Sequence, residues 1–225
     1  MRLHKESVTS NLMAILETLM STNVFRDFCL VGGTALSLQR GHRRSIDIDL
    51  FTALPYPEMK TKEIKQFLES EFEVHKGTEM LDNDSIGYHL FIGTKDNPPV
   101  KLDLFYTEPF IFPIKVVDGI RMADQREIAA MKMLAIGGPV RRQKDFWDIH
   151  ELLSNYSISD LIKWGIERNK YSLTENDIIA GFEGIDSIEE SPEGIDSLCG
   201  NDYWKLKVLD LKSEIAQYKA NRGAD

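Results

Sequence analysis

The sequence predicts a mixed α/β (α+β) fold in which a β-sheet flanked by helices is followed by a helical C-terminal region. Residues 45–51 (SIDIDLF) alternate polar and apolar side chains, which is typical of a strand with one buried face. Residues 85–93 and 100–106 resemble two further strands, and the turn residues 95–99 (KDNPP) between them predict an antiparallel hairpin. After residue 119, apolar side chains recur at helical spacing.

A helix, a short strand and a second helix are expected before the central strand. Ser7 is a candidate cap for the first helix, whose apolar side chains recur at helical spacing: Val8, Leu12, Ile15, Leu16 and Leu19. Residues 28–31 (FCLV) form a short apolar strand, and Gly32, Gly33 and Thr34 turn from it into the next helix. Glycines let a backbone approach a ligand closely, and a helix start offers unpaired N–H groups to an anion. The turn is therefore a candidate phosphate cradle.

The strand at residues 45–51 carries two carboxylates on one face. Asp47 and Asp49 are two residues apart, so their side chains point the same way with Cα atoms roughly 6.5 Å apart. Ile46, Ile48 and Leu50 are then expected to face the core. Neighbouring like charges destabilise a sheet unless a cation lies between them, and Mg²⁺ commonly binds one or two carboxylates together with substrate phosphates. The pattern predicts a metal site beside the phosphate cradle.

The run from residue 32 to residue 51 carries two patterns known from one group of proteins. Gly33-Thr34, twelve intervening residues and then Asp47-Ile48-Asp49 resemble the hallmark of the nucleotidyltransferase superfamily of the DNA polymerase β type. More closely, GGTALSLQRGHRRSIDIDLF is similar to the first motif of the AbiEii/AbiGii toxin family, which has GGTAL, GHR, S and DxDLF in this order. The resemblance implies a minimal nucleotidyltransferase fold, with residues 1–120 as its core and residues 121–225 as a helical region that completes the active-site cleft.

The resemblance also implies an activity. It predicts Mg²⁺-dependent transfer of NMP from an NTP to an acceptor hydroxyl, on an RNA end such as that of tRNA or on a protein. The protein would be the toxin of a toxin–antitoxin or abortive-infection system, with an antitoxin protein as a partner. Asp47 and Asp49 would hold one or two Mg²⁺ ions, and Asp103, on a predicted neighbouring strand, would complete the site and help to deprotonate the attacking hydroxyl. Asp103 has an alternative role, which is to keep an edge strand soluble.

Further residues are assigned by the same resemblance. The expected nucleotide-binding residues are Gly32, Gly33, Thr34, His42, Arg43, Ser45 and Lys144. Lys132 is the one charge in the apolar run 128–136, and such a lysine usually has an anionic partner, which the resemblance identifies as the triphosphate. The alternative is a lysine whose stem covers apolar surface.

Asp148 lies in a sequence, Lys-Asp-aromatic-x-Asp, that is similar to another motif of the toxin family. The resemblance makes Asp148 a candidate catalytic residue, with Asp145 as a weaker candidate. The alternative is an exposed pair between Lys144 and Asp148, four residues apart on a helix, worth a few tenths of a kcal/mol.

Composition narrows the function classes. The net charge of −9 disfavours indiscriminate binding to nucleic acid, although basic clusters remain at residues 40–44 and 141–144. No apolar run approaches the ~20 residues of a membrane span, and the N-terminus lacks the apolar stretch of a signal peptide. The two cysteines, Cys29 in a predicted buried strand and Cys199 in a predicted loop, do not indicate a disulfide framework or a zinc site. A cytoplasmic location is expected.

Two other functions stay open at this point. The acidic composition is compatible with a small-molecule nucleotidyltransferase of the aminoglycoside-modifying kind. The second alternative is a non-catalytic binding module that keeps the same scaffold. Retention of three aspartates argues against the second alternative. Histidine-based metal sites, Walker A lysines and Rossmann glycine motifs have no support in the sequence. Helices are expected near residues 161–168, 173–182 and 202–220, and the twofold EGIDS repeat between residues 183 and 197 is expected to be an acidic loop.

Overall fold

The computed structural model describes residues 2–189 and 201–222, and its contacts divide the chain into two compact units, Met1–Asp124 and Gln125–Asp225. The first unit contains a seven-stranded mixed sheet with helices, and the second is helical in its described part. The predicted mixed α/β fold is confirmed. Among the described residues, no helix is both long and apolar enough to cross a membrane.

The sheet of the first unit has the strand order β3-β4-β5-β2-β1-β7-β6, so β2 is the central strand. In this unit the helices are α1 (Ser10–Ser21), α2 (Gly32–Arg40) and α3 (Thr61–Glu71), and the strands are β1 (Cys29–Leu30), β2 (Asp47–Thr52), β3 (Val74–Lys76), β4 (Gly87–Gly93), β5 (Val100–Tyr106), β6 (Lys115–Val117) and β7 (Ile120–Met122). Strands β2 and β5 are parallel, as are β1 and β7, and the other neighbours are antiparallel.

The central strands bury one face and leave the other more accessible. The buried face consists of Ile48, Leu50, Tyr88, Leu90, Ile92, Leu102 and Leu104. Strands β4 and β5 form the predicted antiparallel hairpin, in which Tyr88 pairs with Leu104. The expectation that Ile46 faces the core is wrong: it is 45% exposed, because β2 begins one residue later, at Asp47. The polar positions of β2 therefore lie on the side opposite the core.

Two other expectations about local structure are wrong. Helix α1 is capped by Thr9, whose hydroxyl accepts a hydrogen bond of 3.1 Å from the Leu12 N–H, whereas the Ser7 hydroxyl bonds to the His4 carbonyl oxygen. The chain also does not become helical directly after Gly119. It forms the hairpin of β6 and β7, whose two turn residues, Asp118 and Gly119, have φ of 50° and 80°. Positive φ at both central residues is the geometry that two-residue hairpin turns prefer.

The second unit is built from helices α4 (Gln125–Gly137), α5 (Gln143–Leu152), α6 (Ile158–Arg168), α7 (Glu175–Glu183) and α8 (Asn201–Arg222). Helices α6 and α7 each begin with a reciprocal capping box, formed by Ser157 with Asp160 and by Thr174 with Asp177. The first EGIDS copy is the end of α7 and a short 3₁₀ turn, not a loop. The second copy and Cys199 lie outside the described residues.

Candidate active site

Strand β2 presents the two predicted carboxylates on the face opposite the core. Asp47 and Asp49 are half-buried, whereas Ile48 and Leu50, which alternate with them, have no exposed surface. Residues two apart on a strand lie on one face with Cα atoms roughly 6.5 Å apart. The two side chains can therefore act on one ligand.

Asp103 lies on the neighbouring strand, at the position predicted for a third carboxylate. Parallel pairing of β2 with β5 sets Asp103 opposite Asp49, and neighbouring strands are about 4.8 Å apart. The Asp103 carboxylate is held by two basic groups, with His89 Nδ1 2.8 Å from Oδ1 and Lys101 Nζ 2.6 Å from Oδ2. Its side chain is only 12% exposed. These contacts fix the orientation of the carboxylate.

The donor chemistry of this face fits Mg²⁺ through Asp47 and Asp49. Both supply carboxylate oxygens on one face, and Mg²⁺ usually takes one or two protein carboxylates and completes its octahedron with water and phosphate. In residues 2–189 and 201–222, no three histidine, cysteine, aspartate or glutamate side chains are grouped closely enough to hold an ion. The two oxygens of Asp103 contact His89 and Lys101, so its role as a metal ligand stays a prediction.

The glycine corner lies directly against the second carboxylate of β2. Gly32 has φ of +67°, and a Cβ at this position would lie 2.4 Å from Asp49 Oδ2. The Val31 N–H donates a 2.9 Å hydrogen bond to the Asp49 carbonyl oxygen, which ties the corner to the strand. Helix α2 begins at Gly32 itself, earlier than expected. The first N–H groups of α2, which have no partner within the helix, are thus placed beside Asp49.

The remaining residues of the motif pack behind the corner. A Cβ at Gly33 would lie 2.3 Å from Arg43 Nη2, so the buried Arg43 guanidinium covers this glycine. The Thr34 hydroxyl lies 2.8 Å from the Ser45 hydroxyl and also contacts the Asp47 carbonyl oxygen. Thr34 and Ser45 therefore join α2 to β2. His42 is half-buried in the connecting loop.

Lys132, in the second unit, is buried between two carboxylates of α5. Its Nζ lies 2.6 Å from Asp145 Oδ1 and 2.8 Å from Asp148 Oδ2, and Arg142 Nε lies 2.9 Å from Asp145 Oδ2. Burial raises the pKa of Asp145, but the charges of Lys132 and Arg142 outweigh this effect, so the pKa lies below its usual value. The expected anionic partners of Lys132 are thus carboxylates of the chain itself.

This buried cluster excludes the structural alternatives for Lys132 and Asp148, in which both side chains lie at the surface. Lys132 does not extend its charge to solvent, because its side chain is 8% exposed. An exposed pair between Lys144 and Asp148 is wrong, because Asp148 is fully buried and contacts Lys132, while Lys144 is half-buried at the start of α5. Contact of Lys132 with a triphosphate and catalysis by Asp148 stay predictions. Part of the basic cluster is structural, since Arg141 donates to the Ile136 carbonyl oxygen at the end of α4.

Sequence reasoning missed the two residues that hold Asp103. Period-two spacing already places Lys101 on the same strand face as Asp103, but their 2.6 Å contact was not predicted. His89 is 14 residues away, and its contact with Asp103 follows only from the register of the β4–β5 hairpin. A buried pair between Arg168 Nε and Glu127 Oε1, 2.5 Å apart, was also missed, because it joins α4 and α6.

Known proteins resemble this chain in sequence and in fold. An uncharacterized protein of Aquifex aeolicus (strain VF5) is 27% identical over 219 residues, which are 92% of this chain and 95% of that protein. The crystal structure of JHP933 from Helicobacter pylori has a TM-score of 0.60 at 17% identity, covering 99% of this chain and 97% of that one. A crystal structure of a protein from H. pylori proposed to be a nucleotidyltransferase has a TM-score of 0.57 at 19% identity, with 95% and 94% covered.

The sequence match to a family is more extensive than any single motif. Residues 14–186 match the family model described as the nucleotidyl transferase AbiEii toxin of type IV toxin–antitoxin systems. This stretch includes the glycine corner, the three aspartates and the buried lysine cluster. Because the match covers well over half of the chain, the protein belongs to the AbiEii toxin family of nucleotidyltransferases.

Proposed function

We propose that the protein transfers NMP from an NTP to a hydroxyl at the end of an RNA, such as tRNA, and that it requires Mg²⁺. The observation that carries this proposal is the position of Asp49, whose carboxylate lies against Gly32 at the start of α2 while Asp47 shares its strand face. The start of α2, which would bind phosphate oxygens, and the two carboxylates, which would bind the metal ion, are thereby adjacent. Adjacent phosphate and metal sites are what phosphoryl transfer requires.

Asp47 and Asp49 would hold the metal ion, with Asp103 as a third candidate. Bound there, Mg²⁺ would supply positive charge that stabilises the phosphoryl oxygens in the transition state. The N–H groups at the start of α2 would bind phosphate oxygens, because a helix N-terminus favours anions. Arg43, which covers Gly33, would add positive charge next to these N–H groups.

The remaining chemistry is the movement of one proton and the exchange of one bond. The acceptor oxygen forms a bond to the α-phosphorus of the NTP as the bond to pyrophosphate breaks. The hydroxyl proton passes to Asp103, whose orientation is fixed by His89 and Lys101. A base held in one orientation loses less entropy when the acceptor binds.

The family description supports a further part of the proposal, which is that the activity is toxic and is opposed by a cognate antitoxin. A toxin that blocks the ends of an essential RNA would have this effect. Co-expression with the product of an adjacent reading frame should then restore growth of cells that express the protein. Growth that the protein never impairs would contradict this part of the proposal.

The test uses an NTP labelled at the α-phosphate. We expect label to appear in tRNA in the presence of Mg²⁺, to be absent with EDTA, and to be lost in Asp47→Asn. Asp96→Asn is the matched control, because Asp96 is an exposed aspartate in the β4–β5 turn of the same unit. Label in an aminoglycoside but not in RNA would replace the proposed acceptor. Absence of Mg²⁺-dependent NTP binding would indicate a non-catalytic module.

A further inference from the structure

The accessible face of the sheet carries a regular grid of side chains around the carboxylates. Pairing of β2, β5 and β4 places three residues in each of three rows. The first row contains Asp47, Lys101 and Phe91, the second contains Asp49, Asp103 and His89, and the third contains Phe51, Phe105 and Gly87. The third row is thus an aromatic row directly beside the carboxylate row.

The two phenylalanines of the third row contact each other, with their ring planes tilted by 49°. The ring centroids of Phe51 and Phe105 are 5.6 Å apart, and the Phe105 and His89 centroids are 5.2 Å apart. Phe51 and Phe105 are both half-buried, although they lie on the face opposite the core. Burial of an apolar ring is favourable, so rings that stay accessible on the polar face of a sheet indicate a surface that a ligand can cover.

Gly87 leaves room for the Phe105 ring, which lies next to the β4 backbone. A Cβ at this position would lie 2.1 Å from two atoms of the Phe105 ring, so any other residue would displace it. The ring therefore covers the backbone of β4 and is held between Phe51 and His89. Its orientation is fixed by the sheet, and a flat partner can stack on it without first ordering the ring.

We propose that Phe51 and Phe105 form a platform on which a nucleobase stacks while its phosphate or hydroxyl reacts at the carboxylate row. The proposal rests on the proposed function and names the substrate class of the site. Neighbouring rows are roughly 6.5 Å apart along a strand, comparable to the separation of a base from the reactive groups of its own nucleotide. Aromatic side chains stack bases of any sequence, because every base has a π-face.

The base that stacks could belong to the incoming NTP or to the terminal nucleotide of the acceptor. Substrates that lack the base distinguish these two sources. One arm compares each of the four NTPs with ribose triphosphate, and the other compares an RNA oligonucleotide with the same oligonucleotide ending in an abasic ribose. Calorimetric binding in Mg²⁺ buffer is measured for both arms, so that the platform is tested independently of transfer.

We expect the base to tighten binding about fivefold to tenfold in one arm, the lower part of the range for base stacking on an aromatic side chain. Phe105→Leu should remove this difference while leaving the affinity for the base-free substrate unchanged. Phe51→Leu provides a second variant if Phe105→Leu fails to fold. Phe91→Leu is the matched control, because Phe91 is 41% exposed on the same face but outside the aromatic row.

If Phe105 only covers Gly87, Phe105→Leu should lower stability without changing the preference for a substrate with a base. The platform is refuted if the wild-type protein binds substrates equally with and without the base in both arms, or if Phe105→Leu keeps the preference. Base-dependent binding without any transfer to RNA would instead refute the proposed function and leave the platform standing. The two proposals can therefore fail separately.

Discussion

Replacement of Lys132 by methionine should destabilise the protein strongly, whether or not the lysine also contacts substrate. Lys132 lies within 2.8 Å of carboxylate oxygens of both Asp145 and Asp148, and both aspartates are almost completely buried. Methionine preserves most of the side-chain volume but leaves Asp148 buried without the lysine charge. Removal of one partner from a buried ion pair costs about 3–5 kcal/mol.

The expected effect on thermal unfolding follows from that cost. For a chain of 150–250 residues each kcal/mol lowers Tm by about 2–4 °C, so Lys132→Met should lower Tm by about 6–20 °C. Circular dichroism melts of the full chain measure this change. Lys163→Met is the matched control, because Lys163 is an exposed lysine of α6 and its replacement should change stability by less than about 0.5 kcal/mol.

A second variant separates charge from packing. Lys132→Met combined with Asp148→Asn removes one buried negative charge together with the positive one, so part of the lost Tm should return. Melting of Lys132→Met within 2 °C or so of the wild-type protein would refute the cluster as a source of stability. A loss of activity in Lys132→Met is evidence for a catalytic role of Lys132 only if the activity is measured at a temperature at which the variant is folded.

Three other predictions concern the same two units. Gly32→Ala should lower NMP transfer at least about tenfold, because its Cβ would displace Asp49. Gly119→Ala is the control: Gly119 has φ of +80° and no atom within 4 Å of the added Cβ, so the variant should strain the backbone without changing transfer. Arg168→Met should lower Tm about as much as Lys132→Met, since it leaves Glu127 buried, and melts measure this. Because the pKa of Asp145 is lowered on folding, its stabilising contribution should be complete above about pH 4 and should decrease as the pH falls below that value. Urea unfolding at a series of pH values measures this decrease, which should be smaller in Lys132→Met.

The core of the first unit could be predicted because its central strands are long enough to show a period. Strand β5 was predicted with its observed bounds, 100–106, and the Asp47 and Asp49 face of β2 followed from alternation alone. Strands β6 and β7 have three residues each, which is too short for a period to appear, and their hairpin was therefore missed. Ile46 was misplaced because alternation continues through a residue that precedes the strand.

The partners of the charged side chains were much harder to predict. A lysine in an apolar helix indicated that Lys132 has an anionic partner, but the identity of that partner depends on how α5 packs on α4 after the break at residues 137–139. Asp103 was assigned to the correct face, whereas its contact with His89 depends on strand register, which a turn sequence does not specify to the residue. Positions on an element follow from local pattern, and contacts between elements require the tertiary structure.

The central claim is that the carboxylate beside the glycine corner enables nucleotide transfer. Its most direct test is the rate of NMP transfer to RNA by Asp49→Asn, compared with Asp96→Asn at the same protein concentration and with equal Tm. We predict that Asp49→Asn loses at least about 99% of the transfer rate, because it removes a charge from the proposed phosphoryl-transfer site, and that Asp96→Asn transfers at the wild-type rate. Undiminished transfer by a folded Asp49→Asn protein would contradict it.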